Sequence, residues 1–194
     1  MAARLPAARR RRQLLDVALR LFGDLGYHQT SMDAVAEAAG VTKPVLYQHF
    51  GSKRELYLEL LHDVGDQLMG AVVEATAAAV HPRQQVEAGF AAYFHFVGAH
   101  AGAFRLLFGT GVEPDGEFGA IARGVEAAMA ETVADLIDVD LDPEHRHLLA
   151  HGVVGLAEGT SRHWVEHDLH LDPDRLASRV ADLAWAGLRG VHRD

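Results

Sequence analysis

The chain has 194 residues, of which 49% are hydrophobic and 23% charged, a composition typical of a globular protein with a buried core and not of a disordered chain. It contains no cysteine, which excludes disulfides, thiolate zinc sites and cysteine nucleophiles. The net charge of −9 is unevenly distributed. Residues 1–54, the head, hold nine Lys or Arg against four acids, whereas the remainder is strongly acidic. Only the head is therefore suited to bind a polyanion.

The N-terminal stretch combines a basic start with an apolar sequel, as signal peptides do. Asp16, Arg20 and Asp24 interrupt the apolar part, so no continuous apolar segment precedes a small-residue cleavage site. No window approaches the roughly 18 apolar residues that a membrane helix needs. We therefore expect a soluble, cytoplasmic protein with no membrane partner.

The first predicted elements are three helices separated by short turns. Apolar residues recur at helical spacing over residues 14–25, and Gly26 is placed to end that helix. Ser31 is predicted to cap a second helix, Gly40 permits a sharp turn, and Thr42 is predicted to cap a third, very short helix.

The remainder of the chain is also predicted to be helical. Ser52 and Glu55 have the spacing of a capping box, which opens a long helix toward Ala79. No run of β-branched residues alternates with polar ones, so the predicted class is all-α, with a head over residues 1–54 and a body over residues 55–194. The further predicted helices are Gln84 to His100, Ala103 to Phe108, Glu117 to Asp138, Pro143 to His167 and Pro173 to Val191.

Two short helices joined by a glycine turn form a helix-turn-helix, here Ser31 to Gln48. The second helix of this motif enters the major groove of DNA by its N-terminal end. That end carries a hydroxyl, a cation and two apolar surfaces that suit base edges, namely Thr42, Lys43, Pro44 and Val45. Residues suited to donate hydrogen bonds to phosphates on either side are Tyr47, His49 and Lys53.

The stretch from Leu14 to Leu61, with "ALRLF", "TSMDAVAEAAGV", "LYQHF" and "SKREL", resembles the DNA-binding domain of the TetR (tetracycline-repressor-like) transcriptional regulators. The resemblance implies a homodimer that reads a palindromic DNA operator, more often as a repressor, and is modulated by a small molecule. It places the arginine run of residues 9–12 near the minor groove or the DNA backbone. The residues that it implies face bases are Thr42, Lys43, Pro44, Val45 and Gln48, and those that hold phosphates are Ser31, Tyr47, His49 and Lys53.

The last two predicted helices carry apolar and glycine-rich stripes that suit a four-helix seam between two protomers. Packing of these stripes within one chain is the open alternative. Each glycine inside a helix lowers helix stability by roughly 1 kcal/mol relative to alanine, and close approach of two helices would offset that loss. The predicted seam residues are Leu148, Gly152, Gly155, Leu156 and Gly159 in one helix and Val180, Leu183, Gly187 and Leu188 in the other.

The stretch "FAAYFHFVGAHAGAFRLLF" is apolar on two helix faces, which is typical of a central, buried helix. We predict that most of its large side chains form the core and that some line a cavity for an apolar effector. The predicted pocket residues are Phe90, Tyr93, Phe94, Val97, Phe104, Leu107 and Phe108.

Histidine pairs at metal-ligand spacing raise two alternatives. His147 with His151, and His163 with His167, stand at i, i+4, which fits a metal-sensing regulator, whereas solvent-facing histidines are the ordinary reading. A metal-assisted hydrolase would need His163, His167 and Asp168, but no general base is evident elsewhere, and a protein-binding helical adaptor would leave the basic head unexplained. We predict no enzyme activity, no cofactor and no metal.

Overall fold

The computed structural model describes residues 6–109, 116–137 and 141–191. Within these ranges the chain folds into nine α-helices without any strand, which confirms the predicted all-α class. None of these helices is long and apolar enough to span a bilayer. They are α1 (Ala7–Gln29), α2 (Met32–Ala38), α3 (Lys43–His49), α4 (Lys53–Ala77), α5 (Pro82–Ala99), α6 (Ala101–Phe108), α7 (Glu117–Leu136), α8 (Pro143–Glu166) and α9 (Pro173–Leu188).

The head consists of α1, α2 and α3 with the start of α4. The predicted cap of α2 forms, because Ser31 Oγ accepts a hydrogen bond from the Ala34 N–H at 3.1 Å. In the turn after α2, Gly40 has a φ of 65°, a region that glycine adopts without strain. The Val41 N–H then donates to the Ala36 carbonyl at 3.0 Å and fixes α3 across α2. The largest fully buried side chains of the head are Leu14, Phe22, Val35, Leu46, Phe50 and Leu56.

α4 runs from the head into the body, and it packs against α1, α5 and α7. Its capping box forms in a shifted version: Ser52 Oγ accepts from the Glu55 N–H at 3.1 Å, while the Glu55 carboxylate accepts from Gly51 rather than from Ser52. The predicted domain boundary falls in this first turn and stays a prediction. Proline starts three body helices, where its missing N–H costs no helical bond: Pro82, Pro143 and Pro173.

The boundaries of α1 differ in part from the prediction. α1 begins at Ala7, so the arginine run lies inside the helix. Gly26 interrupts the helix with a φ of 78°, in line with its predicted place at the helix end, and one further helical turn reaches Gln29. In α2, Ala36 and Ala39 are buried and Ala38 is exposed. The connections between the predicted helices at 109–116 and 139–142 fall largely outside the described ranges, as does the predicted end of α7 at residue 138.

Besides α4, two contacts join the head to the body. In the first, α6 packs on α1 with glycine against glycine: a Cβ placed on Gly23 would lie 2.8 Å from the Gly102 Cα. Arg105 of α6 adds a hydrogen bond from its Nε to the Gly23 carbonyl at 3.2 Å. In the second, Phe118 of α7 packs its ring on Tyr27 and Tyr57 at centroid distances of 5.0 and 4.7 Å. The head is therefore held against both α6 and α7.

Candidate nucleic-acid interface and internal cavity

The N-terminal end of α3 is the most exposed part of the helix-turn-helix. Thr42 takes the N-cap position, but its hydroxyl makes no capping bond, so the predicted cap interaction is absent and the hydroxyl is left for other partners. Tyr47 is 42% exposed, whereas Phe50, which follows α3, is fully buried. Most of the predicted base-facing residues are exposed, namely Thr42, Lys43, Pro44 and Gln48, and Val45 is half-buried. Of the predicted phosphate ligands, two are exposed, Ser31 and Tyr47, and two are half-buried, His49 and Lys53.

A shallow depression on the head brings four of the predicted DNA-binding residues together. Ser31, Lys43, Tyr47 and Lys53 line it from α2, α3 and the start of α4. Sequence reasoning missed four polar residues in the same depression. These are His28, Gln29, Thr30 and Asp33. The first three follow the Gly26 break, and Asp33 stands in the first turn of α2, where the sequence alone shows an acid close to the predicted DNA-binding residues.

Both lysines of this depression have partners on the head itself. Lys43 Nζ lies 2.7 Å from the Asp33 carboxylate, and this hydrogen bond and the charge of Asp33 raise the pKa of Lys43. Lys53 Nζ lies 4.5 Å from the Tyr27 ring centroid and donates to the His28 carbonyl at 3.4 Å. Lys53 is thus held by the chain segment that follows the Gly26 break.

The arginine run does not act as one cationic arm. Arg11 forms an ion pair with Glu59 of α4, and Arg12 bonds both oxygens of Asp63 at 2.7 Å. These two arginines link α1 to α4, and Arg11 also donates to the carbonyl of His49. The expectation that the run lies near DNA stays a prediction. Arg9 is exposed near the start of α1.

The body contains a cavity of about 380 Å³ between α4, α5, α7, α8 and α9. Its walls are mainly aliphatic, and among the lining residues only Pro82 and Arg189 are exposed, which places the mouth at the start of α5 and the end of α9. Thr76 of α4 also lines the cavity. Because a helix rises about 1.5 Å per residue, Thr76 lies roughly 35 Å along α4 from Lys53, and the cavity is at the end of α4 remote from the head.

Two of the predicted pocket residues line this cavity, namely Phe90 and Tyr93. The other five are buried in the core and do not line it: Phe94, Val97, Phe104, Leu107 and Phe108. Lining residues that sequence reasoning did not assign to a pocket come from α4, α5, α7, α8 and the end of α9, including Val72, Val86, Met129, Val153, Trp185 and Arg189.

A polar cluster lies behind the cavity wall, with Tyr93 and Ser161 buried and its charged members half-buried. The Tyr93 hydroxyl is buried, which raises the pKa of Tyr93, and its electrostatic neighbours are Ser161, Glu158 and Glu126. Burial and the nearby Glu158 raise the pKa of Glu126 as well. Arg162 pairs with Glu158 and donates to the carbonyl of the last residue of α6 at 2.6 Å. The ring of Tyr93 therefore belongs to the cavity and its hydroxyl to this cluster.

Most of the predicted seam residues lie on the outside of the protomer. A Cβ added to any of the four glycines would meet no atom within 4 Å, so none of them is needed for packing within the chain. Leu148 and Leu183 are 67% and 62% exposed. Val180 is buried and Leu188 lines the cavity, so these two pack within their own protomer; the outward residues are Leu148, Gly152, Gly155, Gly159, Leu183 and Gly187, with Leu156 half-buried.

The histidine pairs do not assemble a metal site in the part of the chain that is described, where no three His, Asp or Glu side chains are grouped to hold an ion. The exposed rings of His163 and His167 lie 4.3 Å apart between centroids and are tilted by 40° to each other. His147 instead donates from Nδ1 to the Pro143 carbonyl and pairs with Glu131, and these contacts raise its pKa.

Comparisons with known proteins match both parts of this architecture. Residues 14–60 match the model for bacterial regulatory proteins of the tetR family, and residues 82–187 match the tetracyclin repressor-like C-terminal domain. The HTH-type transcriptional activator FasR of Mycolicibacterium smegmatis is 36% identical over 190 residues, which is 97% of this chain and 87% of that protein.

Solved structures share the fold over nearly the whole chain. A TetR-like transcriptional regulator from Rhodococcus sp. RHA1 superposes with a TM-score of 0.78 at 31% identity, covering 97% of this chain and all of that one. The transcriptional regulator FadR from Bacillus subtilis, solved in complex with stearoyl-CoA, also has a TM-score of 0.78, at 17% identity and with 93% and 99% covered. At that identity the FadR likeness concerns the fold alone.

Proposed function

The chain belongs to the TetR family of bacterial regulatory proteins, and from that premise we propose that it binds a palindromic operator as a homodimer under the control of an apolar effector. It is a DNA-binding transcriptional regulator and not an enzyme. Its place of action would be the cytoplasm, where bacterial DNA lies.

The observation that carries the DNA-binding part is the exposed tip of α3 and its surroundings. A free Thr42 hydroxyl, the Lys43 ammonium and the exposed face of Pro44 stand together at the end that a recognition helix inserts into the major groove. Lys53 lies at the N-terminus of α4, where free N–H groups and the helix dipole favour a phosphate. We therefore assign base reading to the tip of α3 and phosphate binding to Lys53.

Selection from a randomised duplex library identifies the operator, and variants then separate the two roles. We expect Lys53→Ala to weaken binding to all sequences alike and to flatten the slope of log affinity against log salt by about 1.8 for the two copies in a dimer, at roughly 0.9 per phosphate. Val45→Ala should instead change the preferred base at one operator position. The remote exposed Arg179 provides the control, Arg179→Ala. A Lys53→Ala protein that loses discrimination at one base only would contradict the phosphate role.

The cavity supports an apolar effector. Its aliphatic walls suit an extended hydrocarbon, and a protein of the same fold was solved with stearoyl-CoA. Effector binding would favour the dimer conformation whose heads do not match the operator spacing, by its difference in affinity for the two states. Calorimetry with stearoyl-CoA, repeated on the cavity-filling variant Val153→Trp, tests this, and binding that survives Val153→Trp unchanged would rule out the cavity as the site.

The direction of regulation stays a prediction. Repression is the expected outcome by family habit, yet the relative with 36% identity is an activator. Transcription in vitro from a promoter that carries the selected operator decides between the two, since a repressor lowers the transcript level when added without effector.

A further inference from the structure

The charge around the cavity is concentrated at its mouth. Among the lining residues, as far as the structure describes them, Arg189 alone carries a charge. The uncharged polar groups on the walls are few, and the deeper lining is made by residues such as Phe90, Met129 and Ala157. A ligand that enters the cavity therefore passes a cation and then finds an apolar interior.

Arg189 is not committed to a partner inside the protomer. Over residues 6–109, 116–137 and 141–191 no acid forms an ion pair with it, although its backbone N–H donates to the Trp185 carbonyl at the end of α9. Arg83, which follows Pro82 in the chain and does not line the cavity, is different: it pairs with Glu87 at 2.8 Å and with Asp182 at 3.3 Å. Carboxylates therefore neutralise Arg83, whereas Arg189 has no such partner within the described ranges.

The helix dipole alone does not account for this arrangement. A cation in the last turn of a helix is favoured by the partial negative charge of the free carbonyls there. That preference explains an arginine at the end of α9, but it does not explain why this exposed arginine lines an apolar cavity. An unpaired guanidinium at the entrance and an uncharged interior together match a molecule with an anionic head and an apolar chain.

We propose that the effector is an anionic amphiphile whose carboxylate or phosphate is held at the mouth by Arg189 while its hydrocarbon chain fills the cavity. Guanidinium binds both anions through paired, charge-assisted hydrogen bonds, which are about twice as strong as neutral ones. The inference rests on the proposed function, because it takes the cavity to be the effector site. It adds the chemical class of the effector and the residue that selects it.

The test compares ligands that share one chain and differ only in the head group. Oleic acid, oleyl alcohol and oleoyl-CoA are titrated into the full-length wild type, Arg189→Gln and the control Arg179→Gln. We expect the wild type to bind the anionic ligand at least tenfold more tightly than the alcohol, and Arg189→Gln to bind the two about equally. Whichever of oleate and oleoyl-CoA loses affinity in Arg189→Gln identifies carboxylate or phosphate as the bound anion.

Other outcomes overturn the inference in distinguishable ways. If Arg189→Gln weakens oleyl alcohol as much as the anions, Arg189 contributes packing and not charge recognition. If the variant binds every ligand as the wild type does, the head group is not at Arg189, while the cavity remains the effector site. If no ligand binds the wild type although operator binding is intact, the proposed effector site itself fails. Operator affinity of Arg189→Gln without ligand, expected to equal that of the wild type, checks that the variant is folded.

Discussion

At the scale of single residues, the two lysines proposed to contact DNA, Lys43 and Lys53, already have partners within the protein. Lys43 pairs with Asp33 at 2.7 Å, and both side chains are more than half exposed, so the pair itself contributes little to stability. On DNA the same carboxylate would lie close to phosphates. Asp33 would therefore compete with the DNA phosphates for Lys43, and its negative charge would repel the same phosphates. Both effects would lower the affinity of the protein for DNA of any sequence.

We predict that Asp33→Asn strengthens binding to duplex DNA about two- to tenfold at low salt, because it frees Lys43 and removes one acid per head. The salt dependence should steepen, by up to about 0.9 for each additional phosphate that Lys43 neutralises. Fluorescence anisotropy with the selected operator and with unrelated DNA, at several salt concentrations, measures both effects. Glu37→Gln, an exposed acid of the same helix, is the matched control, and an equal rise in affinity from it would show that net charge alone is responsible.

The residues that sequence patterns predicted least well are those whose role depends on distant partners. Arg11 and Arg12 look like a basic arm in the sequence, but Glu59 and Asp63 stand on α4, some fifty positions away. Thr42 has the type and position of a cap, yet its hydroxyl makes no such bond. Ser31 and Ser52, whose partners lie three residues on, were predicted correctly.

At the scale of elements, the close contact between α1 and α6 depends on two glycines. A methyl group on Gly23 would sit 2.8 Å from the Gly102 backbone, and neither helix has a flexible side chain there that could move aside. We predict that Gly23→Ala lowers the free energy of unfolding by about 1–3 kcal/mol, the usual cost of overpacking. Chemical denaturation measures this value.

Gly124→Ala is the control for that change. Gly124 lies inside α7 with no atom near its added Cβ, so alanine there should raise the free energy of unfolding by up to about 1 kcal/mol through helix propensity. Equal effects of the two substitutions would mean that the α1–α6 contact is not tight in solution.

Helix positions were predictable because caps, prolines and apolar spacing are local signals. The cavity was only partly predictable because its walls depend on how distant helices pack, which local signals do not show. Periodicity shows that α5 is buried on two faces, but it does not reveal which face meets a void, so Phe94 and Val97 were grouped with Phe90 and Tyr93. The walls from α7 and α9 are set by the packing of helices far apart in sequence.

At the scale of the whole molecule, the exposed glycines and leucines of α8 and α9 suit a second protomer. We predict that Leu183→Glu leaves the protomer folded but breaks the homodimer, because a carboxylate would be buried against its own copy. Sedimentation velocity should show monomers at micromolar concentration, and operator affinity should fall at least about 100-fold, since two linked heads gain strongly from binding together.

Leu171→Glu serves as the control for this prediction, since Leu171 is also a partly exposed leucine but precedes α9 and lies outside the predicted seam. It should remain dimeric. A dimer that persists in Leu183→Glu would place the seam elsewhere on the body.

The distance between the cavity mouth and the head has a consequence for how fast the regulator can respond to its effector. Because the cavity mouth at Pro82 and Arg189 lies at the end of α4 remote from the head, DNA bound to the head would leave the entrance uncovered. The proposed effector would then be able to reach a regulator that is still bound to its promoter. The rate of the transcriptional response would then be set by the arrival of the effector and not by spontaneous dissociation of the regulator from DNA.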